Sequence, residues 1–201
     1  EVVVTAERNK GLYKKHVYRL HAMSRGILIT TTYRNDSKEA RSGSVDDYWK
    51  PSGKRGTFQG VRWIDAVDPA DRGSYAAVWV NGQRRSGIAS NPGSLSLKPG
   101  ETATYTRFLA VANSPAAAVS EAFVYATPTK NLLAGELKDP VGQPVNDATF
   151  EIRHSNETLP GYPLGQGKLP VYLPDGEYGV RITDRGRTPV ERKVTLKSNQ
   201  A

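Results

Sequence analysis

Three histidines and no cysteine narrow the chemistry open to this 201-residue chain. Without a thiol there is no cysteine nucleophile, no disulfide framework and no cysteine–zinc site. His16 and His21 lie five apart in a stretch that alternates like a strand. Odd spacing on a strand puts them on opposite faces, so they make a poor ligand pair. Catalysis by either would need a carboxylate and an arginine gathered in the same cleft. His154-Ser155-Asn156-Glu157 has the H-x-x-E spacing of some zinc sites, but no histidine follows it to complete a ligand set. Asp65, Asp68 and Asp71, with Asp46-Asp47, carry oxygens suited to a hard cation. Their spacing lacks the glycine and terminal glutamate of a calcium loop, so a solvated acidic loop is the expectation. The chain is therefore read without a catalytic residue, metal or cofactor.

Binding is better provided for than catalysis. Trp49, Trp63, Trp79 and ten tyrosines supply flat apolar faces with polar edges. Tyr48, Trp49, Trp63, Arg84 and Arg85 are the candidate ligand-binding residues. Trp49 sits in a loop context between Asp46-Asp47 and Lys50-Pro51-Ser52-Gly53, which favours exposure as much as burial. Trp63 and Trp79 have a competing role in core packing, because Tyr75, Ala77 and Trp79 share one phase of an alternating run.

The charge balance is +8, from 28 Lys+Arg against 20 Asp+Glu. Residues 129–201 hold ten Lys+Arg and nine Asp+Glu, so almost all the excess falls in residues 1–128. The cations are scattered in pairs, Lys14-Lys15, Lys54-Arg55 and Arg84-Arg85, without the signature of a nucleic-acid fold. A solvated basic surface is expected, or one that meets an acidic polysaccharide. No apolar run approaches the ~18 residues of a membrane span. The start at Glu1, without a methionine or a basic-then-apolar leader, is that of a mature form or an excised piece.

Positioning these residues falls to strands. Period-two alternation predicts strands over residues 1–5, 16–22, 27–34, 57–66, 75–81, 94–97 and 103–111. Asn35-Asp36-Ser37, Asn81-Gly82 and Pro99-Gly100 are the turns. Residues 114–123 break the pattern: Ser114 is a cap, Pro115 suits the first helical position, and an alanine run follows. After a linker at residues 127–131, shorter strands resume around 132–138, 145–154, 169–173, 178–183 and 190–196. The expected class is all-β with one short helix. A large β domain spans 1–128 and a smaller sandwich spans 129–201.

Residues 135–150, opening Gly135-Glu136-Leu137-Lys138-Asp139 and running through Gly142-Gln143-Pro144-Val145 to Ala148, resemble the start of a carboxypeptidase regulatory-like domain. Leu173-Pro174-Asp175-Gly176-Glu177-Tyr178 is similar to that family's L-P-x-G-x-Y turn. The sequence departs from the family at Leu164-Gly165-Gln166-Gly167-Lys168. The resemblance implies a transthyretin-like sandwich, in a family whose members are mostly non-catalytic accessories of secreted and periplasmic proteins. Arg19-Leu20-His21, residues 27–37, Asp46-Asp47-Tyr48-Trp49 and Leu97-Lys98-Pro99-Gly100-Glu101 resemble, more distantly, the supersandwich of galactose-mutarotase-like proteins. That implies a large antiparallel sandwich and no particular activity. Lys138 and Asn199, with Asp184, are also similar to the isopeptide-forming set of pilin-type B domains.

The expectation from these readings is a non-catalytic accessory or binding portion of an exported bacterial protein. Its partner would be a polysaccharide or a catalytic module, not nucleic acid. The alternatives are a carbohydrate-active enzyme of mutarotase or lyase type and a structural spacer.

Overall fold

The structure is a computed structural model and describes residues 2–7, 11–20, 25–45, 53–66, 73–80, 88–89, 93–127 and 130–198. The first half forms β1 (Val2–Glu7), β2 (Leu12–Leu20), β3 (Gly26–Asn35), β4 (Arg41–Ser44), β5 (Gly53–Phe58), β6 (Val61–Ala66), β7 (Ser74–Val80), β8 (Ile88–Ala89), β9 (Ser94–Leu97) and β10 (Thr102–Ala112). Helix α1 (Pro115–Ala126) follows. The second half adds β11 (Asn131–Leu133), β12 (Thr149–His154), β13 (Glu157–Gly161), β14 (Val171–Leu173), β15 (Gly176–Thr183) and β16 (Val190–Leu196). The fold is all-β with one helix, and the strand pairs are antiparallel.

The main sheet runs β1-β2-β3-β10-β7-β6-β5, with β8 also paired to β7. A two-stranded sheet of β4 and β9 packs on one face of it. There Leu95, Leu97 and Val45 meet Leu12, Tyr33 and Trp79. The other face receives α1. Ser114 accepts from the Ala117 N–H at 3.2 Å and Pro115 opens the first turn, which ends two orphan donors of the helix. The helix is apolar nearly all round, as a fully enclosed helix must be. It touches β6, β7 and β10 on one side and β13 and β14 on the other. Phe108 of β10 stacks on Tyr125 at 4.2 Å between ring centres.

The second half forms a β13-β12-β15-β16 sheet and a β11-β14 pair. Its inward residues, Phe150, Ile152, Leu159, Leu173 and Tyr178, belong to the same buried cluster as Phe58, Val78, Phe108 and Phe123. One core therefore crosses the boundary expected near residue 128.

One expected strand is corrected. Residues 57–66 form two strands joined at Gln59-Gly60, whose φ angles are 47° and 81°. Two successive positive φ values make the tight turn whose twist matches a hairpin. The expected strand at 132–138 is also shortened, to Asn131–Leu133 followed by single bridges at Glu136 and Lys138.

Candidate functional site

The hairpin is what builds the site. Its register pairs Arg55 with Ile64 and Thr57 with Arg62, and β6 then pairs Arg62 with Ala77 and Ile64 with Tyr75. Alternation puts Arg55, Thr57, Arg62, Ile64, Tyr75, Ala77 and Trp79 on the face turned away from α1. Here the strands enclose a cleft of about 260 Å3 lined by Arg55, Gly56, Thr57, Arg62, Trp63, Ile64, Ala77 and Trp79. Ile64, Ala77 and Trp79 make an apolar floor, while Arg55, Thr57 and Arg62 are exposed at the rim.

Next to the cleft lies a chain of polar contacts. Arg107 of β10 is 5% exposed, and its guanidinium stands 5.4 Å from the Trp79 ring centre. Its Nη1 donates to the Thr31 hydroxyl at 2.7 Å, and that oxygen lies 2.8 Å from Nδ1 of His16. A guanidinium can only donate, so the Thr31 oxygen accepts from Arg107 and the same hydroxyl is shared with His16. The three residues lie on β10, β3 and β2, and their separations of 76 and 15 residues leave no local motif to find.

The sequence candidates fare unevenly. Tyr48, Trp49, Arg84 and Arg85 lie outside the described residues, as do His21, Asp46, Asp47, Asp68 and Asp71. Trp63 is 6% exposed and Trp79 8%, so both serve as wall and core and neither offers a free stacking face. The Trp63 ring lies over Gly56, where an added Cβ would stand 2.6 Å from Cζ2. Asp65 is not in a solvated loop: it accepts from Ser74 at 2.8 Å and faces the Tyr162 hydroxyl of the second half at 3.5 Å. His154 and Glu157 are cross-strand partners with structural duties. His154 Nδ1 donates to the Glu177 carbonyl at 3.0 Å, and Glu157 accepts from the Gln59 N–H at 2.6 Å. Among the described residues no three His, Asp or Glu side chains gather as a metal site. Lys138 is exposed and paired with Glu136 at 2.7 Å, which is not the enclosed setting an isopeptide needs, and Asn199 lies outside the described residues. Arg55, Thr57, Arg62 and Arg107 are the residues that sequence reasoning missed. In the sequence Arg55 stands out only as half of the charge pair Lys54-Arg55.

Among the described residues, no helix is long and apolar enough to cross a membrane. Comparison with protein-family models and with curated proteins yields no match. Among solved structures, a polysaccharide lyase is similar over 96% of this chain, with 11% identity and a TM-score of 0.37. The likeness covers 35% of that structure, so the chain spans about a third of its length.

Proposed function

We propose that this chain is a non-catalytic, carbohydrate-binding portion of a larger exported protein, and that it holds its ligand in the cleft across β5, β6 and β7. The supporting observation is the make-up of the cleft: an apolar floor of Ile64, Ala77 and Trp79 beneath a polar rim of Arg55, Thr57 and Arg62. A sugar ring is amphipathic in the same sense, with C–H faces and hydroxyl edges. The volume lies below the usual range for enclosing a whole small ligand, which suits one unit of a longer chain passing over the sheet. Trp63 and Trp79 both line the cleft, so intrinsic fluorescence reports on its occupancy. Titration with a panel of neutral and acidic oligosaccharides is expected to give saturable quenching that is lost in Thr57→Phe, which fills the cleft from its exposed rim. Absence of any response across the panel would overturn the reading.

The His16–Thr31–Arg107 chain favours a second reading, a carbohydrate-active enzyme with its site on the same sheet face. It predicts new reducing ends or an altered anomer ratio when polysaccharide is incubated with the chain, lost in His16→Ala. Unchanged polysaccharide rejects it.

A further inference from the structure

Resting on the binding reading above, we propose that the cleft selects glycans bearing oxyanions, uronate carboxylates or sulfate esters, over neutral ones. Arg55 and Arg62 stand diagonally on adjacent strands, since Arg55 pairs with Ile64 and Arg62 with Thr57. Diagonal neighbours on one face lie within reach of each other's long side chains. Both line the same cleft and both are exposed.

Neither has an acidic partner among the described residues, whereas Arg34, Arg41, Arg153, Arg181 and Arg187 each face a carboxylate within 4.0 Å. The carboxylate of β6, Asp65, falls on the opposite face of the sheet and is bonded to Ser74. Two like charges are thus placed on neighbouring strands of one face with no described carboxylate paired to either. Side-by-side cations repel, and an oxyanion placed between them relieves that repulsion while each planar fork offers paired donors. Arg107, on the same face, is already engaged with Thr31 and Trp79. A hydroxyl-only sugar would meet the apolar floor but leave both guanidinium groups with water.

The test uses the full chain and three ligands: a uronic-acid oligosaccharide, the same oligosaccharide after reduction of its carboxyls, and a sulfated oligosaccharide of otherwise neutral sugars. Calorimetric affinities are measured for the parent chain and for Arg55→Gln, Arg62→Gln and the remote surface control Arg192→Gln. These are exposed side chains, so folding is retained and is checked by circular dichroism. The charged oligosaccharides, or one of them, are expected to bind at least about tenfold more tightly than the reduced one, because bonds to charged groups are worth more than neutral ones. Which charged ligand wins identifies the oxyanion. Arg55→Gln and Arg62→Gln should each remove about tenfold of that affinity and leave the reduced ligand unaffected, and Arg192→Gln should change nothing. Equal affinity for charged and reduced ligands overturns the selectivity while leaving the binding reading standing. An equal loss in Arg192→Gln also overturns it, because it marks general attraction to a chain of net charge +8. Failure of all three ligands to bind is failure of the binding reading itself.

Discussion

The Gln59 side-chain amide donates to the Tyr178 hydroxyl across 2.9 Å, and so joins the β5–β6 turn to the sheet of the second half. The same hydroxyl donates onward to the Pro174 carbonyl at 2.9 Å. Phe58, His154 and Tyr178 pack ring against ring around this joint. The hairpin that carries Arg55 and Arg62 is therefore anchored from behind by the second half, through Tyr178, 119 positions beyond Gln59.

Burial raises the Tyr178 hydroxyl above its ordinary value of 10.0; the nearby Asp175 charge adds to this, and the Gln59 hydrogen bond opposes it. In the folded chain the proton is retained at pH values where the unfolded chain has lost it. Stability is then fully present below pH 10 and falls as pH rises through the folded value. Tyr178→Phe should cost about 1–3 kcal/mol near neutral pH, because it leaves the Pro174 carbonyl and the Gln59 amide without their partner. It should also flatten the alkaline decline. Urea unfolding at several pH values measures both.

Gly161→Ala probes the shared core. Gly161 pairs with Phe150, whose ring covers it, and an added Cβ would lie 2.6 Å from Phe150 Cε2 and 2.7 Å from Ala116 Cβ of α1. Overpacking of this kind costs about 1–3 kcal/mol. Thermal unfolding of the variant, followed by circular dichroism and by tryptophan fluorescence, should shift down by the same amount in both signals. All three tryptophans belong to the first half, so a shift in circular dichroism alone would show that the halves unfold apart.

Asn35 is fully buried at the end of β3 and satisfies four groups at once. Its amide donates to the Glu39 and Leu97 carbonyls at 2.8 and 2.9 Å, and its oxygen accepts from the Ser37 N–H and hydroxyl. Asn35→Ala leaves the buried Leu97 carbonyl without this donor, while the Glu39 carbonyl keeps the Ser37 hydroxyl, and is expected to destabilise by about 1–3 kcal/mol. An asparagine side chain this enclosed is also closed to glycosylation in the folded chain, despite its Asn-Asp-Ser context. Denaturant unfolding of Asn35→Ala checks the first statement, and intact mass after expression in a glycosylating host checks the second.

The sequence was most legible where physics is local. Ser114 and Pro115 announce α1, although its end runs on to Ala126 because enclosure between two layers holds the last turn. Tyr75, Ala77 and Trp79 do share a face, but the fully buried phase of β7 is the opposite one, Ser74, Ala76, Val78 and Val80. The inward positions of Ala148 and Tyr178 are as expected. The Pro99-Gly100 turn has the positive φ its glycine allows. The cleft was illegible for a definite reason. Arg62 read as part of one strand with Thr57, and only the positive φ at Gln59, a residue type that does not advertise it, folds the chain so that Arg55 and Arg62 share a wall. Arg107 was invisible because its partners come from distant strands. Trp63 was a candidate platform by type alone, and its position on the α1 side of the sheet places it in the core.

The most direct test of the binding surface is amide chemical-shift mapping of an oligosaccharide onto the isotopically labelled chain. The account predicts perturbations gathered at residues 55–57, 62–64 and 77–79, on three adjacent strands. Perturbations confined to β12, β15 and β16, or none at saturating ligand, would contradict it.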